Sequence, residues 1–263
     1  MKNKRGQVAI FIIIGVILVA VIALYMILKT DIIIPSGPKY ATPEENIQAG
    51  LQDCLKDKIN EGIKLIASQG GFIENPLNRT FKFDDESKSS DISFLCYTDA
   101  YYQPCVVQES MIIQKSENEL KKYIESDVRI CFNEQTKKLQ SSGYTVDANY
   151  GEGFDVEISP GKAKILMTGI IRLTQNGQSK TYDKLTFSQE TKLYDLAFVA
   201  QQILSQEAEF CNFMVVGYQL TYPDNYIRKF RTSDGVAIYR IENKDSGEIF
   251  KLATKGCLSR PGI

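Results

Sequence analysis

The chain of 263 residues contains no histidine. That absence removes Ser-His-Asp and Cys-His catalysis and every imidazole metal site. Tryptophan is also missing, and there are only 8 prolines. No Gly-rich phosphate loop, nucleophile elbow or zincin motif occurs, so the sequence offers no catalytic, cofactor-binding or metal-binding residues. Asn243-Lys244-Asp245-Ser246-Gly247-Glu248 faintly resembles a calcium loop but lacks the alternating acids and distal Glu, and reads as a hairpin turn.

Basic residues are unevenly placed. Lys2, Lys4, Arg5 and Lys29 precede Asp31, the first acid; the chain from Asp31 onward holds 27 basic and 32 acidic groups, a net of −5. Phosphate recognition needs clustered Lys and Arg, so no nucleic-acid partner is expected. The longest basic cluster, Arg228-Lys229-Phe230-Arg231, reads as a solvated strand face.

Val8 to Leu28 carries no charge. A helix of that length spans roughly 30 Å, the thickness of a bilayer's hydrocarbon core. The basic residues lie before it, so the positive-inside rule puts the N-terminus in the cytoplasm and the remainder outside. A cleaved secretory signal is the alternative. Its apolar region is shorter and ends in small residues, whereas this one ends Leu24-Tyr25-Met26-Ile27-Leu28-Lys29. The expected organisation is a basic cytoplasmic segment (1–6), a transmembrane helix (7–29), a linker (30–41) and an extracytoplasmic domain (42–263), with a subdivision near 143. Gly15, Ala20 and Ala23 are small enough for helices to pack and homo-oligomerise in the membrane, although no small-xxx-small spacing spans Gly15.

Lys4-Arg5-Gly6-Gln7-Val8-Ala9 followed by the apolar run resembles the archaeal type IV prepilin (class III) signal, and more broadly the start of archaeal single-span surface proteins. The resemblance covers about 25 residues. It implies cleavage between Gly6 and Gln7, with the apolar helix retained on the mature protein. Family members often carry Gln, Ser and Glu at the first, third and fifth mature positions; this chain has Gln7, Ala9 and Phe11. The missing Glu is the acid that helps align filament subunits. A plain signal anchor remains the other reading. Pro35, Gly37 and Pro38 break the helix just past the membrane, which favours a tethered domain or a minor pilin-like subunit over a filament-core pilin.

The outer region reads as α+β, an antiparallel sheet packed with about three helices. Thr42-Pro43-Glu44-Glu45 is a capping box opening a helix with Ile47, Leu51, Leu55, Ile59, Ile63 and Ile66 at helical spacing, stopped by Gly70-Gly71. Asp84 to Asp91 reads as an exposed loop. Strands are expected at 92–98 and 106–113, with Pro104 in the turn between them. Ser116-Glu117-Asn118-Glu119 is a second capping box, starting a helix that Ser142-Gly143 ends. The two capped helices suggest a degenerate repeat. Strands are expected next at 153–159, 162–174 and 180–188, joined by Pro160-Gly161 and by Asn176-Gly177, a strong hairpin signal. A third helix spans 193–210, and strands close the chain at 214–222, 226–231, 236–242 and 249–253, with turns at Asp234-Gly235 and Ser246-Gly247.

Six cysteines without CxxC spacing, in an exported domain, point to disulfides rather than zinc, and no histidine or basic pattern is present to activate a thiol. Of fifteen full connectivities, Cys96–Cys105 across a turn, Cys54–Cys131 between the capped helices and Cys211–Cys257 at the C-terminus fit the expected elements best. Closing Cys96–Cys105 would display Tyr97, Tyr101 and Tyr102 as a recognition loop, or pack them beneath it. Asn78-Arg79-Thr80 is a glycosylation sequon in an expected loop.

These features point to a membrane-anchored cell-surface binding or assembly protein, with a pilin-like subunit as one form. Its protein or surface-polymer partner is not named by the sequence. The alternatives are an ectoenzyme cutting envelope polymers through paired carboxylates and an accessory factor for export or folding.

Overall fold

The computed structural model describes residues 43–258 and the isolated helical positions Gly15 and Leu18. The expected processing site Gly6-Gln7, most of the apolar run, the expected linker and the expected Thr42 cap lie outside the described residues. Among the described residues no helix is long and apolar enough to cross a membrane.

Helix α1 (Pro43–Ser68) buries Ile47, Leu51, Leu55, Ile59, Ile63 and Ile66 on one stripe, as their spacing requires. Gly70 and Gly71 then take positive φ, and the Gly71 N–H donates to the Ile66 carbonyl, closing the helix. Helix α2 (Ile112–Ser141) packs antiparallel to it. Gly50 lies against Gln135, Cys54 is bonded to Cys131, Gly62 lies against Leu120, and Gly71 lies against Ile112. Side chains larger than hydrogen at Gly50 and Gly62 would collide with their neighbours on α2.

Two corrections fall at the start of α2. The expected strand over 106–113 shrinks to β3 (Val106–Val107), and the helix begins one turn before the expected capping box. Ser116 is therefore buried inside the helix, with its hydroxyl donating to the Ile112 carbonyl. Glu119 instead accepts the Ile73 N–H and pairs with Lys115. Burial of Ile112 against the end of α1 outweighs the local cap signal.

A six-stranded sheet holds β1 (Asn78–Phe81), β2 (Ser90–Tyr97), β12 (Ile249–Lys255), β11 (Val236–Asn243) and β10 (Asn225–Arg231) in that order, with β3 on β2. It is mixed rather than purely antiparallel, because β2 and β12 run parallel. Two three-stranded antiparallel sheets complete the β structure: β4 (Thr145–Asn149) with β7 (Ile170–Gln175) and β8 (Gln178–Tyr182), and β5 (Phe154–Ser159) with β6 (Lys162–Met167) and β9 (Leu185–Glu190). The expected strands 162–174 and 180–188 are each broken in two, at Thr168-Gly169 and Asp183-Lys184, so that each serves both small sheets. The Gly151 turn crosses there; a side chain on Gly169 would strike the backbone of Asn149 and Tyr150 and the ring of Phe132. Strand β4 carries one half-buried and four exposed residues, so no apolar alternation announced it. The Asn176-Gly177 turn has both residues at positive φ, as a two-residue hairpin demands.

Helix α3 (Leu193–Phe210) and α1 cover one face of the large sheet, forming the main core. Its first turn is capped from afar: the Glu248 carboxylate, at the β11–β12 turn, accepts from the Lys192 N–H at 2.9 Å and the Thr191 hydroxyl at 2.5 Å. The other sheet face carries a smaller core of Phe83, Ile92, Phe94, Val236, Ile238 and Ala253. Asp84 to Asp91 is largely exposed, as expected of a loop, with Ser90 and Asp91 opening β2, and it offers carboxylates to the cations of this face. Asp85 receives Arg228 at 2.6 Å and Arg240 at 2.9 Å, while Glu86 receives Lys251 at 2.7 Å. Arg240 and Lys251 are buried within a sheet, where an unpaired charge is costly. The described residues from 43 to 258 fall in one compact unit.

Candidate interaction surface

Cys211 terminates α3 in a left-handed conformation and is bonded to Cys257 beside the last strand. The chain is turned there and then pinned by Phe213, whose ring is buried against Tyr239 and Tyr218. Glu207 holds the pin in place. Its Oε1 accepts the Phe213 N–H at 3.1 Å, the Lys229 ammonium at 2.8 Å and the hydroxyl of Tyr239. Burial, then the Glu207 charge, pushes the Tyr239 hydroxyl far above its ordinary range. Burial also pulls Lys229 down, against the opposing pull of Glu207. The basic stretch on β10 is therefore not a solvated face: Arg228 and Lys229 are committed to Asp85 and Glu207, and Arg231 donates to the Cys211 carbonyl.

Beyond that anchor the chain does something the core does not. Residues 214–222, expected as a strand, form the short helix α4 (Val215–Thr221), which has no buried residue. Met214, Val216 and Leu220 are 68%, 71% and 81% exposed, and Phe210 is 63% exposed. Val216 and Leu220, four apart, share one helix face. The Tyr218 and Tyr222 rings lie 4.8 Å apart, extending the row that starts at Phe213. From Phe210 to Pro223 there is no charged residue. The result is an apolar, uncharged ledge on a rigid base. The departure from the expected strand has a clear cause: Val215, Val216 and Tyr218 have strand propensity, and seven residues are too few for a helical period to declare itself.

Gln201 of α3 donates to the Ser110 carbonyl just before α2.

The tyrosine loop divides. Tyr97 is not displayed: it packs edge-on against Phe94 at 5.3 Å, with its hydroxyl donating to Asp99 at 2.6 Å. Tyr101 and Tyr102 are exposed, on a loop closed by Cys96–Cys105 and laced to the C-terminal segment through the Tyr102 N–H to the Leu258 carbonyl and the Cys257 N–H to the Gln103 carbonyl. All three disulfides join the pairs expected, with Cα separations of 6.0, 5.3 and 5.9 Å for Cys54–Cys131, Cys96–Cys105 and Cys211–Cys257. Asn78 is exposed but opens edge strand β1 rather than lying in a loop. Asn243 to Glu248 forms the β11–β12 turn, with the Ser246 N–H donating to Asn243 Oδ1.

One other cleft, about 470 Å³, gathers Lys115, Lys121, Lys122 and Arg129 along α2. Those cations are already engaged: Lys115 and Lys122 with Glu119, Lys121 with Asp155, and Arg129 over the Tyr150 ring. Neither a family model, nor a curated protein, nor a solved structure matches this chain.

Proposed function

We propose that this chain is a membrane-anchored, disulfide-stapled cell-surface protein that works by binding, as an assembly or adhesion subunit whose docking surface is the α4 ledge. The carrying observation is the ledge itself. Proteins rarely expose a contiguous, uncharged apolar patch unless something covers it, and this one is held by a disulfide and a buried carboxylate rather than left to collapse. In this reading the Val8–Leu28 run spans the membrane, the basic N-terminus stays in the cytoplasm, and 42–263 lies outside. A prepilin-type cut between Gly6 and Gln7 leaves the apolar helix in place. Asn78, exposed on its edge strand, is the sugar acceptor where the host glycosylates.

Native gels of gently solubilised membranes test the binding role. Wild-type chain should migrate in a complex larger than itself, and Leu220→Asp should release it. A wild-type chain that runs alone contradicts the reading. Protease added to whole cells tests the topology, since a domain cleaved only after lysis places it inside. Intact mass then reports the cut at Gly6.

A further inference from the structure

We propose that the occupant of the ledge is a second copy of this chain, docked ledge to ledge about a twofold axis; this rests on the binding role above. Three observations favour a copy over an unrelated partner. The first is charge. In a twofold contact each side chain near the axis meets its own copy, so any charge there faces a like charge. The region after residue 30 is net negative, and the stretch from Phe210 to Pro223 presents no charge to be opposed.

The second is area. Phe210, Met214, Val216, Leu220 and Tyr222 are each 53–81% exposed. At roughly 100 Å² apiece they offer on the order of 500 Å² per copy, which in a pair reaches the total of about 1,000 Å² that a specific interface needs. The third is shape. Val216 and Leu220 stand on one face of a short helix, and Gly217 beside them leaves the backbone uncovered except by Met214. Two such helices approach closely without needing a pre-cut groove. The N-terminal apolar run adds to this, because copies confined to one membrane meet at a raised effective concentration.

The test uses the full-length chain in cells, with the photocrosslinker p-benzoylphenylalanine at position 220 and, as a control, at exposed Ile170 on β7. The Leu220 side chain is exposed, so the probe leaves the fold intact. The expected result is an adduct of twice the chain's mass from position 220 and none from 170. Adding Val216→Asp to the same chain should remove that adduct, since two carboxylates would then face each other. An adduct at 220 with a different protein alone overturns the second-copy inference while leaving the binding role standing. Reaction with lipid only, or with nothing, overturns both.

Discussion

Helices α1 and α4 are both rich in aliphatic residues, and the domain treats them oppositely. On α1 Ile47, Leu51, Leu55, Ile59, Ile63 and Ile66 fall every three or four residues, and all six disappear into the core. On α4 nothing is buried, although Phe213 just before it is. The difference is one of length and of what holds each helix. A long amphipathic stripe is its own reason to fold against a sheet, whereas a seven-residue helix is below the length that sustains itself in water. Its position is imposed by Cys211–Cys257, by Phe213 and by Glu207. Apolar groups on α1 stabilise the fold; on α4, Val215 and Tyr218 pack against the core, while Val216 and Leu220 are available to a partner.

That contrast can be broken most directly at the pin. Phe213→Ala should cost about 3–5 kcal/mol in urea denaturation, because a buried ring leaves a cavity, and it should loosen α4 in hydrogen exchange while α1 stays protected. Equal loss of protection in both helices would refute the separation. Replacing Cys54 and Cys131 together by Ser should cost about 2–4 kcal/mol, the upper part of that range being expected for a loop closed over 77 residues. This should act on α1 and α2 and leave self-association unchanged.

Leu220→Asp sharpens the comparison from the other side. It should move stability by less than about 0.5 kcal/mol, as exposed substitutions do, yet abolish association in sedimentation. The equivalent Leu55→Asp, at a position wholly buried in α1, should not fold. A Leu220→Asp protein that unfolds would show that α4 belongs to the core after all.

The smallest effect concerns pH. Asp234 is lowered from 3.8 to about 2 by the Thr232 hydroxyl and then by Arg79, and Asp85 is lowered chiefly by Arg228. Folded-state values below the unfolded ones contribute stability that is complete above about pH 4 and is lost as pH falls through the lowered values. These pairs are largely exposed, so the loss should be slight. Urea midpoints that stay level from about pH 5 to pH 2 would contradict it.

Much of the scaffold is legible in the sequence. The α1 stripe, the Asn176-Gly177, Asp234-Gly235 and Ser246-Gly247 turns, and α3 follow from local periodicity and turn chemistry. So do the three cysteine pairs, once neighbouring elements are placed. The ledge is not legible. A run such as MVVGYQLTY has the composition of a buried strand, and nothing local says whether neighbours will cover it. The ion pairs over the second sheet face are hidden too. Asp84 to Asp91 reads as an exposed loop and is largely one, but nothing local says that Asp85 and Glu86 pair with the distant Arg228, Arg240 and Lys251.

By itself the sequence determined what acts over a few residues: an apolar run long enough for a bilayer with lysines ahead of it, helices with a 3.6-residue stripe, tight turns where glycine is needed, and a chemistry without imidazole. Tertiary structure alone decided which apolar groups are covered. Burial depends on residues far apart in the chain, and the Cys211–Cys257 bond with the Glu207 carboxylate fixes α4 where no other described element packs over Val216 and Leu220.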